Sequence, residues 1–324
     1  MEFNNTLQNA TDFQPDTNDV LKEVIEGLQQ PVKRLPCKLF YDEHGSQLFD
    51  QICELDEYYP TRTETAIMES NIDEIVSHIG EDCQLIEYGS GSSMKTRILL
   101  DNLPEMAAYV PIDISKEHLL RSSVDLSQDY PNVDVFPVCA DYHNDFDLPD
   151  CKKTANKKVV YFPGSTIGNF HPHEAVDFLQ GINEVCGDQG GLLIGVDLKK
   201  DPDILTEAYN DSKGVTAAFN LNSVRRVKEE LGIDLDPDSF KHHAFYNEAH
   251  GRVEMHLVSL QEQKVSVAGN DIVIKSGESI WTESSYKYSV EEFDRLAFKG
   301  GFQVEKVWVD DQQLFSVQYL TTMS

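Results

Sequence analysis

The chain has 324 residues, enough for one large or two modest domains with proper cores, and sets 27 Lys and Arg against 56 Asp and Glu for a formal charge of −29. Acidic residues run along the whole length with no basic stripe, so phosphate backbones and anionic lipid are repelled, and neither nucleic acid nor a membrane is expected as a partner. No apolar run approaches the roughly 20 residues of a membrane span, and the opening stretch MEFNNTLQNATDFQPDTNDV has neither the basic start nor the apolar core of a secretory signal. Cysteines 37, 53, 83, 139, 151 and 186 show no C-x-x-C spacing and no clustering with histidine, which predicts ordinary thiols, no metal site and a soluble cytoplasmic protein. A monomer is the default expectation.

After a polar, frayed start, DVLKEVIEGLQQ has helical apolar spacing at Val20, Leu21, Ile25 and Leu28, and Pro31 stops it. A short helix follows at GSQLFDQICEL, flanked by the aromatic and charged loops LFYDEHG and DEYYPTRTE. Thr63 then starts a long amphipathic helix, ETAIMESNIDEIVSHIG. From there strand and helix alternate: QLIEYGS and its helix, AAYVPID, SKEHLLRSSVDLSQDY, VDVFPVCA, KKVVYFPGS, HEAVDFLQGINEVC and GGLLIGVDL. Such alternation means an α/β fold with a parallel sheet covered by helices. Beyond Leu198 the pattern breaks into a mostly helical block and then strands that turn back at AGND. The last segment, SVEEFDRLAFKGGFQVEKVWVDDQQLFSVQYL, reads as a helix, a Gly-Gly stop and two strands, the closing antiparallel hairpin of a seven-stranded sheet. The expected organisation is a sheet domain over 64–198 and 287–324, with 10–63 and 199–286 forming a smaller α+β domain toward the carboxyl edge of the strands.

The most informative stretch is LIEYGSGSS, where an apolar strand enters a glycine-rich turn ahead of the helix SMKTRILLDNL. Gly89 and Gly91 supply the turn, and Asp113 closes the next strand at the separation expected of an acid that accepts hydrogen bonds from a ribose. A merely structural strand-to-helix turn is the competing explanation. The dinucleotide fingerprint is incomplete, since Met94 stands where its third glycine would be. That gap disfavours a nicotinamide cofactor and favours S-adenosylmethionine (SAM), whose binding needs no pyrophosphate contact. Two more details agree: CADYH places Asp141 to accept an adenine amino group and Tyr142 to cover the ring, and the C-terminal strand pair suits a methyltransferase sheet. Lys95 is either a partner for the methionine carboxylate of SAM or a solvated helix lysine.

The segments FYDEHGSQLFDQICELDEYYPTRTE, LIEYGSGSSMKTR, GSTIGNFHPHEA, VDLKKD, AYNDSKGVTAAFNLN, RVEMHL and GESIWTESSYKY, in this order, closely resemble the histidine Nα-methyltransferases of ergothioneine biosynthesis. The resemblance covers nearly the whole chain. It implies a Rossmann-like class I methyltransferase sheet, here the 64–198 and 287–324 domain as the SAM-binding part, joined to a substrate-binding domain. It also implies threefold methylation of the α-amine of L-histidine to hercynine, with S-adenosylhomocysteine as the other product. The alternative is a methyltransferase of the same build acting on another amino acid or small amine. Carried over, Gly89, Ser90, Gly91, Lys95, Asp113, Asp141, Tyr142, Gly164 and Ser165 match cofactor positions. Asn169 matches the residue that holds the amino acid head, Tyr209 the carboxylate ligand, and Tyr41 with Tyr58 or Tyr59 the N-terminal tyrosines. Met255, Glu283 and Ser285 match the imidazole pocket. Each has a plainer role open to it: Asn169 as a helix cap, Tyr209 and Met255 as packing residues. No general base is assigned.

Overall fold

The computed structural model describes residues 3–323 apart from 92, 104, 143, 145, 152 and 154, residues 3–5 through their backbone only. The chain divides into two compact units, Met1–Gln14 with Pro60–Lys200 and Tyr286–Ser324, and Pro15–Tyr59 with Asp201–Ser285. Among the described residues the strands are β1 (Thr11–Phe13), β2 (Cys83–Tyr88), β3 (Ala108–Asp113), β4 (Val138–Ala140), β5 (Lys157–Phe162), β6 (Gly191–Asp197), β7 (Phe240–Asn247), β8 (Arg252–Ser259), β9 (Gln263–Val267), β10 (Asn270–Ile274), β11 (Ser279–Tyr286), β12 (Phe302–Val309) and β13 (Phe315–Thr322).

In the first unit eight strands form one sheet in the order β1-β4-β3-β2-β5-β6-β13-β12. The pairs from β1 to β6 are parallel, and β13 runs antiparallel to both β6 and β12. Strand order reverses at β2, whose neighbours are β3 and β5, and such a switch point opens a crevice at the carboxyl ends of the strands. All six residues of β2 are buried because helices cover both faces, the polar Gln84 and Glu87 included. Its odd and even positions still part company. Ile86, Val110, Val160 and Ile194 pack with Leu179 and Ile182 of the helix Pro172–Cys186 and with Phe293 of the helix Val290–Lys299. Leu85, Tyr109, Val159 and Leu193 pack with Met68, Ile75, Ile79 and Leu99 on the opposite face.

Four local expectations change. The sheet has an eighth strand, since Thr11–Phe13 pairs in parallel with β4, so residues 10–14 join the sheet unit rather than the smaller one. The N-terminal start is also helical at Phe3–Gln8. The helix expected from Thr63 begins at Tyr59, because Pro60 is tolerated in a first turn where its missing N–H has no intrahelical partner anyway. That helix ends at Ser70 and a second, Ile72–Ile79, follows after Asn71, whose φ of −124° breaks the helical path while its side chain bonds the Ile67 carbonyl at 2.8 Å.

The second unit is α+β. β11, β8 and β7 form a three-stranded sheet, and β9 with β10 make a hairpin that turns at Ala268 and Gly269, both at positive φ as such tight turns require. The helices Thr17–Gln29 and Val215–Leu231 supply Val24, Leu28, Val224 and Val227 to a core that includes Leu257, Ile274 and Ile280. Asp42 caps the helix Glu43–Cys53 by accepting the Gly45 N–H at 2.7 Å and the Asn222 amide at 2.8 Å. A Cβ at Gly45 would lie 1.6 Å from the Phe40 carbonyl oxygen, so the chain needs glycine there for close approach. Gly45→Ala is therefore expected to lower the unfolding free energy by about 2–3 kcal/mol. Urea unfolding measures this, and an unshifted midpoint would show that the contact relaxes freely.

Candidate functional site

At the end of β2 the backbone turns through Gly89 and Gly91 at φ of 75° and 48°, a region that side chains with a Cβ rarely adopt. The N–H groups of Gly89 and Ser90 both donate to the Ile112 carbonyl, at 2.8 and 3.2 Å, which pins the turn against the end of β3. Asp113, the last residue of β3, completes the lock by accepting the Gly91 N–H at 3.0 Å and the Ser115 N–H at 2.9 Å. Burial pushes the Asp113 carboxyl above its usual range, against the pull of those N–H groups. A Cβ built on Gly89 or Gly91 would meet nothing within 4 Å, so the turn is open at those positions among the described residues. Beside it the buried hydroxyls of Ser90 and Ser115 have no hydrogen-bond partner among the described residues. Open backbone, unsatisfied hydroxyls and a carboxylate at the strand tip fit a polar, sugar-bearing ligand.

Beneath the turn lies Glu87, one per cent exposed, accepting hydrogen bonds at 2.5 Å from the Thr96 and Tyr109 hydroxyls. Burial raises its carboxyl to about 7. Lys95 is not a free helix lysine. Its Nζ lies 2.5 Å from Glu64, a fully buried carboxylate on the helix Tyr59–Ser70 that also accepts the Gly164 N–H at 2.9 Å.

Gly164 and Ser165 follow β5 with φ of 75° and 59°. Ser165 is buried, and its Oγ accepts the Asp197 N–H at 2.9 Å, joining the ends of β5 and β6. Asp197 itself is fully buried between two lysines, with Lys200 Nζ at 2.5 Å and Lys287 Nζ at 2.7 Å. Burial alone would raise this carboxyl, but the two ammonium groups outweigh it and hold it below its ordinary value. Burial brings Lys200 down to about 8 despite the attraction of Asp197. Asn169 ends the turn Thr166–Asn169 and does not cap the next helix, whose N-cap is His171, with the His171 N–H donating to the Glu174 carboxylate at 2.8 Å. Asp141 is buried just after β4. The Tyr142 ring stands 6.0–6.3 Å from Tyr88, Phe162, Phe170 and Phe178, and with Tyr88, Phe146, Phe170 and Phe178 it lines a cavity of about 610 Å³.

The second unit gathers the other expected residues around one aromatic chain. Tyr41 meets Phe49 with ring centroids 5.9 Å apart, Phe49 meets Tyr58 at 6.3 Å, and Tyr58 meets Tyr209 at 6.4 Å, all edge-on. Tyr209 donates its hydroxyl to Ser285 Oγ at 2.8 Å. Burial raises the Tyr58 phenol well above its ordinary pKa, and the nearby Tyr209, Tyr41 and Glu283 reinforce the shift. Tyr59 is buried at the start of the following helix. Met255 and Glu283 lie on β8 and β11, held through their backbones: the Met255 carbonyl accepts the Thr282 hydroxyl at 3.0 Å and the Glu283 carbonyl accepts the Trp281 indole N–H at 2.8 Å. Two residues without a prior assignment, Asn220 and His242, support this cluster. Asn220, fully buried, accepts from Thr282 at 2.7 Å and donates to the His256 carbonyl and to His242 Nδ1. His242 in turn donates its Nε2–H to the Tyr209 carbonyl at 2.9 Å, and burial lowers its pKa, so it is the neutral imidazole that steadies Tyr209. Among the described residues no cluster of side chains could hold a metal ion, and no helix is long and apolar enough to cross a membrane.

Residues 20–322 match the model of a family described as histidine-specific, SAM-dependent methyltransferases. The chain belongs to that family. This methyltransferase is 38% identical over 295 residues to the histidine N-alpha-methyltransferase of Mycolicibacterium smegmatis, covering 89% of this chain and 90% of that one. It is 37% identical to the enzyme of the same name from Mycobacterium tuberculosis, covering 90% and 91% of the two chains. Ergothioneine biosynthesis protein 1 of Neurospora crassa is 34% identical over 89% of this methyltransferase, which spans only 33% of that longer protein. The class I sheet and its SAM dependence follow from this membership together with the strand order. The open glycine turn, the orphaned Ser90 and Ser115 hydroxyls and Asp113 fit SAM as the cofactor of this methyltransferase.

Glu87 yields a pH test of the packing under the turn. Because burial raises its carboxyl from 4.5 to about 7, the folded protein keeps a proton that the unfolded chain has released within that window, so its contribution to stability falls as pH rises through it. Glu87→Gln removes this titration. Urea unfolding should show the native sequence losing more stability than Glu87→Gln between pH 5 and pH 7.5, and equal losses would place the titration elsewhere.

Proposed function

We propose that this protein transfers three methyl groups from SAM to the α-amine of L-histidine, giving hercynine as the first step of ergothioneine biosynthesis, and that it acts as a cytoplasmic monomer. The observation that carries the substrate is the match of residues 20–322 to a family described as histidine-specific. Support for a cytoplasmic setting comes from the six cysteines, which form no disulfide.

Bound SAM supplies an electrophilic methyl group on a sulfonium. Gly89, Ser90, Gly91 and Asp113 would hold its ribose side, Asp141 and Tyr142 its adenine, and Lys95 with Gly164 and Ser165 its amino acid side. On the substrate, Asn169 would hold the amino acid head and Tyr209 its carboxylate. Of the two neighbouring tyrosines, Tyr58 has its ring 6.4 Å from that of Tyr209, which supports Tyr58 as the pocket residue.

Transfer requires a neutral amine held in line behind the methyl carbon, and positioning of that kind supplies much of the rate. An α-amino group has a reference pKa of roughly 7.7–8.0 in peptides, so a strong base is unnecessary. Tyr58 stays a phenol at any working pH and is not a phenolate base. The walls of Tyr41, Tyr58 and Tyr209 disfavour the ammonium form by desolvation, yet cation–π attraction lets them tolerate the growing methylammonium through successive rounds. At the far end Glu283 would accept an imidazole N–H, and Ser285, already bonded to Tyr209, ties that end to the carboxylate ligand. A side chain without that N–H would forgo this bond, which is a basis for discrimination.

Mass spectrometry of a reaction with SAM and L-histidine should show one, two and three added methyl groups. Absence of any methylated histidine would refute the substrate. Glu283→Ala should cut kcat/KM for histidine by about tenfold or more while SAM affinity changes little; equal losses in both would remove Glu283 from the imidazole pocket. Asp113→Ala should weaken SAM binding in calorimetry, and unchanged affinity would move the ribose contact to another group.

A further inference from the structure

Glu64 lies on the helix Tyr59–Ser70 with no exposure to solvent. Leaving a carboxylate buried costs several kcal/mol unless charge and hydrogen bonds match it. Two distant stretches of chain provide the match and a third leaves the space. Lys95, in the helix after the glycine turn, places Nζ 2.5 Å from Oε2. Gly164, in the turn after β5, donates its N–H to Oε2 at 2.9 Å and to Oε1 at 3.2 Å. Gly195 of β6 leaves room, since a Cβ there would stand 2.2 Å from Oε1.

The two partners of the ion pair differ in what they present. The Lys95 side chain is 18% exposed and that of Glu64 is 0%, so the pair offers an ammonium outward and keeps its carboxylate behind. Lysine is a point charge on a flexible stem with three donors. Glu64 engages one donor and leaves two for a ligand. Gly164 borders the same ammonium, because a Cβ there would lie 3.6 Å from Lys95 Nζ. One buried carboxylate therefore fixes both the direction of the ammonium and the conformation of the turn beside it.

We propose that Glu64 is the positioning residue of the methyl-donor pocket, holding the Lys95 ammonium and the Gly164 turn in the arrangement that receives the amino acid head of SAM. This rests on the reading that SAM binds beside the glycine turn with Lys95 toward its carboxylate. Glu64 touches neither ligand and acts through Lys95 and Gly164.

The test compares three ligands by calorimetry: SAM, S-adenosylhomocysteine and 5′-methylthioadenosine, which keeps the nucleoside and lacks the amino acid head. Glu64→Gln preserves shape and an acceptor for Gly164 while removing the charge. It should weaken SAM and S-adenosylhomocysteine by roughly tenfold, the scale of a charge-assisted hydrogen bond, and leave methylthioadenosine within about twofold. Added to Lys95→Met, it should cause little further loss, because its effect runs through the same ammonium. Glu64→Asp, which draws the carboxylate back, should show the same ligand pattern and serves where the glutamine variant does not fold. Equal weakening of all three ligands, or full additivity with Lys95→Met, overturns the proposal and reduces Glu64 to a packing role. A native protein that binds none of the three ligands would instead refute the SAM site itself.

Discussion

A buried charge must be matched or neutralised, and the carboxyl edge of the large sheet is organised around that constraint. Asp197, Glu64 and Glu87 are buried there and Asp113 is partly buried, and each meets it differently. Asp197 is held ionised by two lysines. Glu64 is matched by one lysine and a backbone N–H. Asp113 spends its oxygens on the N–H groups of the turn it closes. Glu87, with only hydroxyl donors, is pushed toward its neutral form. The loops that must present polar groups to a ligand are thereby tied to the strands by bonds that are expensive to break. Rigid loops at a strand edge are what an in-line transfer needs, since small displacements of the reacting atoms are costly.

The smaller unit solves a different problem with different material. Its expected tyrosines, Tyr41, Tyr58 and Tyr209, are linked edge to edge through Phe49 and backed by buried amide and imidazole groups. Asn220 satisfies Thr282, a backbone carbonyl and His242 at once, and His242 steadies the backbone of Tyr209.

Much of this was legible in the sequence, and the limits have physical causes. The β2 strand, its glycine turn and Asp113 stand out because strand, turn and acid recur at fixed separations along the chain. The closing hairpin was legible from its Gly-Gly stop and two apolar runs. The edge strand Thr11–Phe13 was not, since it is only three residues long and mostly exposed, with no apolar alternation, and owes its conformation to pairing with β4. β7 alternates poorly between buried and exposed positions and lacks the period that marks a strand. Glu64, Asp197 and Lys200 lay within the blocks that carried the family resemblance, yet nothing local marks them. Their roles come from partners 31 to 100 positions away for Glu64, and a pairing over such a distance leaves no period to read.

The space at Gly195 has an evolutionary consequence. A side chain there and a glutamate at position 64 compete for one volume, so neither position is able to drift alone. Within the family the two should covary, glycine accompanying the longer acid and a larger residue appearing only where its counterpart has been shortened. A substitution harmless in one lineage would then be damaging in another, with the reason hidden more than a hundred residues away.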